Sequence, residues 1–307
     1  MIIDNFALTM FQSCPSKYNL RIRQGWTTRR KSAALGFGGA FHEGLATWYK
    51  TGDAVGAVEA LINAYPGEMP IDDWRTKEKC VKTLIEYMHN YPSEQFGIVQ
   101  LPSGPMIEVN FTLPLGTYLP CDDCWMADVS APTDMVCSNC NGPKELIEYG
   151  GIFDGVVEFN RQLYIFEHKT TSQLGDYYFD QFRPNNQVTG YVWAGGLLSG
   201  QRVGGAIINA IGMYKVGATK FRRQVTARSA EDIARWINDV HYTCVRIKQC
   251  ERDDHWPMHT TACTMYGKCE FHMVHVLPEM SAQQRMLEQE YVKAEWDHET
   301  RDEVKEV

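Results

Sequence analysis

No stretch of this 307-residue chain approaches the ~18 consecutive apolar residues of a membrane-spanning helix, so the sequence excludes a transmembrane protein. Its first residues, Met1-Ile2-Ile3-Asp4-Asn5, lack the basic and then apolar plan of a signal peptide, and a cytoplasmic chain is expected from this. Positive charge is not in surplus. Thirty Lys and Arg against 38 Asp and Glu leave a net charge of −8, which argues against coating nucleic acid by bulk charge but leaves room for a local basic groove. Repeats and low-complexity tracts are absent. With 44% hydrophobic and 22% charged residues, the chain can bury a sizeable core and is not disordered throughout. What it does hold is ten cysteines. Disulfides are rare in the cytosol, so metal binding is the first explanation for them.

Apolar periodicity predicts a helix over 6–24, interrupted at Cys14-Pro15, and another over 37–50 whose stripe (Phe37, Phe41, Leu45, Trp48) has His42 beside it. A helix over 75–91 ends at Tyr91-Pro92, and 105–113 alternates as a strand. Residues 147–170 read as a β-hairpin turning at Asn160-Arg161, followed by a helix over 184–199. The apolar run 204–214 has the character of a buried central strand, with Phe221 to Val225 able to pair beside it. Ser229 with Asp232 opens a further helix, striped by Ile233, Trp236, Ile237, Val240, Cys244 and Ile247. A last helix is expected near 280–296, and the final eleven residues, mostly charged, are expected to fray. Helices first, then strands bracketing one helix, then more helix, predict an α/β fold with a central mixed sheet and a helical flank. Between 15 and 31, Lys17, Arg21, Arg23, Arg29, Arg30 and Lys31 occur with no acid among them, which suits either a solvated basic face or a phosphate-facing patch.

The segment richest in chemistry runs from Gly150-Gly151-Ile152-Phe153-Asp154 to Glu167-His168-Lys169-Thr170. Side chains two apart on a strand share a face, so Glu167 and Lys169 project together, and pairing around Asn160 sets Asp154 roughly opposite Glu167. Two carboxylates crowded on an otherwise apolar hairpin repel each other, and a hard divalent cation removes that penalty. Such an ion polarises a phosphoryl oxygen and activates water, and an adjacent ammonium steadies the charge developing on phosphorus. Taken alone, the same residues also suit a structural salt bridge on a solvated face.

Several motifs occurring in order resemble the PD-(D/E)XK nuclease superfamily in its RecB-type exonuclease branch, which includes CRISPR-associated exonucleases and many phage proteins. Gly38-Gly39-Ala40-Phe41-His42-Glu43-Gly44-Leu45 resembles the early G…H…L helix, Gly151-Ile152-Phe153-Asp154 the G-x-x-D strand, Glu167-His168-Lys169-Thr170 the (D/E)-x-K-T strand, and Gln187-Val188-Thr189-Gly190-Tyr191 the Q-x-x-x-Y helix. The resemblance covers about residues 6–275. It implies a restriction-endonuclease-like core, with His42, Asp154 and Glu167 as ligands for Mg²⁺ or Mn²⁺, the His168 carbonyl as an extra ligand, and Lys169 as the catalytic lysine. Gln187 and Tyr191, one helical turn apart, would hold DNA or that lysine. Glu108 is an outside candidate for the site.

Cys121-x2-Cys124 and Cys137-x2-Cys140 enclose twelve residues rich in turn formers, as four thiolates around a structural Zn²⁺ require. A second group is Cys14, Cys263 and Cys269 with His275, where Cys250 or His272 is able to substitute for His275. Many RecB-branch proteins carry an iron–sulfur cluster with one early and three late cysteines, which implies a [4Fe–4S] cluster here. His275 in place of the last cysteine departs from that pattern and suits a second zinc equally, and separate reduced thiols are the plain alternative. Cys80 and Cys244 read as small core residues.

The expected organisation is an N-terminal helical part over 1–100, a nuclease core over 101–116 and 145–252, a zinc-ribbon insertion over 117–144, a cysteine loop over 253–279 closing onto Cys14, and a helix with charged tail over 280–307. The expected function is metal-dependent hydrolysis of DNA phosphodiesters, processing ends or single strands in a bacterial or phage-infected cell, with a replication, recombination or helicase partner. The basic run 17–31 with Lys220, Arg222 and Arg223 would bind backbone phosphates. The rival reading is a nuclease-fold scaffold that binds DNA ends or docks a partner and cuts little.

Overall fold

The computed structural model describes residues 1–29, 33–67, 73–121, 133–265, 267–298 and 302–305, the last four by backbone alone. The elements, in chain order, are β1 (Ile2–Asp4), α1 (Asn5–Ser13), β2 (Trp26–Thr28), α2 (Ala33–Thr51), α3 (Ala54–Ala64), α4 (Lys77–Asn90), β3 (Ile107–Tyr118), β4 (Leu146–Phe159), β5 (Gln162–Thr171), α5 (Asn186–Ser199), β6 (Val203–Gly212), β7 (Lys220–Ala227), α6 (Ala230–Asp253), α7 (Met280–Glu290) and β8 (Tyr291–Asp297). No described helix is long and apolar enough to cross a membrane. The chain divides into two compact units, one made of Lys31–Val109 and Phe153–Ile233, the other of Met1–Arg30, Asn110–Ile152 and Ala234–Val307.

The first of these is α/β. Its sheet runs β4–β5–β6–β7. β5 folds back on β4 antiparallel, with Gly155 opposite Phe166, through a two-residue turn in which Asn160 and Arg161 both have positive φ. β6 then lies parallel to β5, from Leu163 opposite Val203 to Thr171 opposite Gly212, and the crossover between them is α5. Every residue of β6 is buried, as its unbroken apolar run requires of a strand covered on both faces. β7 closes the set antiparallel. Here Gly205 has φ +155, and a Cβ on it would lie 2.0 Å from the Thr226 carbonyl oxygen, so only glycine permits this strand approach. Helices α2, α3 and α4 pack Phe37, Phe41, Leu45, Leu61, Leu84 and Tyr87 against Ile211 and Met213 at the end of β6.

In the other unit, β1 runs parallel to the start of β4, with Ile3 opposite Tyr149. Asp4 caps α1, accepting from the Ala7 N–H at 2.7 Å, and its second oxygen accepts from Trp296 Nε1 at 2.6 Å. Helix α6 buries the predicted stripe Trp236, Val240, Cys244 and Ile247, and the Trp236 ring meets Tyr149 edge-on at 4.9 Å. The helix expected to reach 296 ends at Glu290. From Tyr291 the chain becomes β8, antiparallel to β2, and the tail expected to fray contributes Asp302–Lys305 as a strand on β8. Tyr291 and Ala294 are spaced as on a helix and Ala294 and Trp296 as on a strand, and pairing with a segment more than 260 residues away decides the matter.

Candidate active site

The hairpin sets the site's frame. Its register carries Asp154 to the end of β5, where the His168 N–H donates to Asp154 Oδ2 at 2.7 Å. α2 brings His42 to the same carboxylate, Nδ1 to Oδ1 at 3.2 Å. Gly38 permits this: a Cβ there would lie 3.3 Å from Thr170 Oγ1, so the absence of a side chain lets α2 run against the end of β5. Glu108, near the start of β3, completes the group from a backbone with φ 51, a conformation that a non-glycine residue adopts only when its surroundings impose it.

His42, Glu108 and Asp154 present one ligand atom each, all within 4.8 Å of one another. Asp154 is wholly enclosed, whereas the His42 side chain is 26% exposed, so the group opens to solvent on the imidazole side. Burial alone would lower the His42 pKa. The charge and hydrogen bond of Asp154, followed by Glu108 and Glu167, outweigh burial and raise it. One nitrogen and two carboxylates around a common point, with an excess of negative charge, form a donor set that fits a hard divalent cation.

Glu167 is not part of that three-donor set. It is 1% exposed and accepts from Lys169 Nζ at 2.7 Å. The same ammonium donates to Gln187 Oε1 at 2.8 Å, and Gln187 Nε2 donates to the Tyr191 hydroxyl at 3.2 Å. α5 starts correctly for this because the Asn185 side chain caps it, accepting from the Val188 N–H at 3.1 Å. The four-residue spacing thus serves the lysine. Tyr191 is 3% exposed, lies edge-on to Phe153 at 6.2 Å, and acts on Gln187 from within the fold. His168 points to the opposite face of β5, where burial, against the pull of Asp154 and together with His42, Arg223 and Lys169, pushes its pKa down to about 3.

The residues expected to meet phosphate are differently employed. Lys17 pairs with Glu270 at 2.9 Å, Arg23 pairs with Glu251 at 3.2 Å and lies over the Trp256 ring, Arg21 is 2% exposed, and Arg29 donates to the Gln289 carbonyl. These residues belong to one unit and the carboxylates to the other. Arg30 and Lys31 lie outside the described residues. In the unit that holds the carboxylates, Lys220 and Arg222 are exposed on β7, Arg222 within 3.7 Å of Asp176. Arg223 is turned inward and grips Glu94 through two nitrogens at 2.6 and 2.8 Å.

Among the cysteines, the ligand atoms of Cys121, Cys137 and Cys140 lie within 4.8 Å of one another, with the Cys121 and Cys140 sulfurs 3.3 Å apart. Cys124 lies outside the described residues. A tight turn holds the second pair: the Asn141 N–H donates to the Cys137 carbonyl at 2.9 Å, and Asn141 has φ 59. Zinc bonds of ~2.3 Å hold tetrahedral thiolates about 3.8 Å apart, and this set fits them. No three of Cys14, Cys263, Cys269 and His275 draw their ligand atoms within that range. Instead, the His275 Nε2 sits 3.0 Å from Ser16 Oγ, and Cys14 accepts from the His259 N–H at 3.5 Å. Cys80 and Cys244 are fully buried in apolar surroundings that push both thiols up to about 12.

A search of curated proteins finds no match. Among solved structures, the chain is similar to a Eubacterium rectale protein provisionally named an exonuclease, with a TM-score of 0.50 and 12% identity over 89% of this chain and 87% of that one, a likeness of fold. The sequence profile of the PD-(D/E)XK nuclease superfamily matches residues 7–274, and the chain therefore belongs to that superfamily.

Proposed function

We propose that this chain is a metal-dependent deoxyribonuclease that processes DNA ends or single strands. The observation that carries the reading is the convergence of His42, Glu108 and Asp154 on one point, with Lys169 held beside them between Glu167 and Gln187. His42, Glu108 and Asp154 would hold Mg²⁺ or Mn²⁺, with Glu167 and the His168 carbonyl close by. When bound, the ion supplies Lewis-acid stabilisation of the phosphoryl oxygens and makes water a better nucleophile. Lys169 orients the attacking water and neutralises charge developing on the phosphate. Glu167 holds that amine by an ion pair, and Gln187, braced by Tyr191, fixes its direction. Lys220 and Arg222 would meet the DNA backbone.

Two further metal assignments accompany this reading. The ribbon cysteines 121, 124, 137 and 140 would take one structural zinc, supported by the close approach of the three described thiols. For Cys14, Cys263 and Cys269, one early and two late cysteines resemble the pattern of an iron–sulfur cluster, and that is the assignment put to test. Metal analysis after anaerobic purification tests both: one zinc per chain with broad visible absorbance is expected, and a colourless protein with two zinc ions would overturn the second.

The nuclease itself is tested by digesting end-labelled single- and double-stranded DNA with Mg²⁺. Asp154→Ala and Lys169→Ala should each lose on the order of 10³ in rate. A wild type that binds DNA ends and cuts no better than either variant would replace the enzyme by a scaffold.

A further inference from the structure

Behind the carboxylates lies a second layer of buried polar groups that the chemistry above leaves unused. Tyr49 from α2, Tyr87 from α4, Glu94, Asn209 from β6 and Arg223 from β7 form a hydrogen-bonded knot, and at its far end is the His168 ring. Donor and acceptor chemistry fixes the knot's polarity. Arginine can only donate. Arg223 Nε lies 3.1 Å from Asn209 Oδ1, so that oxygen is taken. The amide therefore turns Nδ2 toward its other neighbours, the Tyr87 hydroxyl at 2.8 Å and His168 Nδ1 at 2.8 Å. A donor facing Nδ1 requires a lone pair there, which leaves the ring proton on Nε2. Tyr49 stacks on the ring at 5.6 Å and 15°, and Phe166 meets it edge-on at 4.6 Å. Plane and tautomer are both set.

This ring belongs to the residue between Glu167 and Lys169, whose N–H holds Asp154 Oδ2. We propose that Arg223, acting through Asn209 and His168, is a positioning residue for the metal carboxylates: the knot fixes the 168 peptide and with it the aim of Asp154. The proposal rests on the nuclease reading and removes Arg223 from the DNA-contacting set. Its strength lies in the inward, bidentate grip on Glu94, whose side chain is 15% exposed, and in the complete burial of Asn209.

Two near-isosteric variants separate this role from a phosphate contact. Asn209→Asp places an oxygen opposite His168 Nδ1, and Arg223→Lys keeps the charge but lacks the Nε donor. In ¹⁵N-histidine spectra, wild-type His168 should be the Nε2-protonated tautomer, and Asn209→Asp should move the proton to Nδ1 or add a second one. Mn²⁺ affinity, read by paramagnetic resonance without DNA, should weaken about 10- to 100-fold in both variants, the range for groups that orient metal ligands. In single-turnover cleavage the rate should fall by a similar factor, while DNA affinity and its salt slope stay within about twofold. An Nδ1-protonated wild-type ring would overturn the proposal without any variant being made. Unchanged Mn²⁺ affinity with weaker DNA binding and a shallower salt slope in Arg223→Lys would overturn it in favour of a phosphate contact. Should the wild type bind Mn²⁺ and fail to cut DNA, the nuclease reading falls while tautomer and affinity still decide the positioning role.

Discussion

The ammonium of Lys169 sits between acceptors of unlike charge, Glu167 and Gln187. Only the first is ionic, so Gln187→Ala should keep the pair and lose its direction, lowering kcat about tenfold, or ~1.4 kcal/mol, with little change in melting temperature. Tyr191→Phe, which removes the hydroxyl that braces Gln187, should cost less, and single-turnover cleavage ranks the two. Glu108→Gln should raise the Mn²⁺ concentration for half-maximal cleavage about tenfold or more, because it removes one of two anionic donors from the three-atom group; an unchanged requirement would take Glu108 out of the ligand set. At this scale the sequence was partly legible. The nearness of Asp154, Glu167 and Lys169 was readable from spacing on a hairpin, although spacing alone suited a structural salt bridge as well. Glu108 was harder to read because its aim depends on a positive φ that no residue pattern encodes. Arg223 was misleading for the opposite reason: it follows Arg222 in a basic run, and strand alternation turns one outward and the other toward Glu94, which lies in a loop 129 residues earlier.

At the scale of elements, Gly205 sits where β6 and β7 approach too closely for a Cβ. Gly205→Ala should destabilise the protein by about 3 kcal/mol or more, since neither the φ nor the strand spacing tolerates a Cβ. Urea denaturation measures it, and a loss below about 1 kcal/mol would mean that the strands part easily. On α6, His241 is buried with Nε2 3.0 Å from the Tyr118 carbonyl, and burial lowers its pKa despite that bond. In the unfolded chain the imidazole takes a proton near its ordinary ~6.5. The folded form takes it only at lower pH, so this contribution is complete above ~6.5 and is lost as pH falls below it. Denaturation at pH 7 and pH 5 should show wild type losing stability on acidification and His241→Gln losing less. Elements with strong internal patterns, such as β6 and α6, were readable from their own residues. β8 was not, because its Tyr-x-x-Ala-x-Trp spacing suits helix and strand alike and β2 arbitrates from the far end of the chain.

For the molecule as a whole, the α/β architecture was legible because helices and strands follow in a telling order, whereas the division into units was not. The segment carrying Cys121, Cys137 and Cys140 falls in the unit that does not hold His42, Glu108 and Asp154. Cys137→Ser or Cys140→Ser should therefore release one zinc equivalent, seen with a chromophoric chelator, and lower the melting temperature by several degrees, because binding energy at such a site is folding energy. Retention of a full zinc equivalent by both variants would rule the site out.

Each unit is assembled from stretches separated by stretches of the other, and this imposes an order on synthesis. The segments of the unit holding Asp154 have all been made once Ile233 has been added, while its counterpart still awaits Ala234 onward. At ~5–20 residues per second that wait lasts seconds, long compared with the folding of most small domains. The nascent protein thus has Glu108, Asp154 and Glu167 to hand before Cys263 and Cys269 exist, and any cluster built on those cysteines can form only after the acidic group is complete.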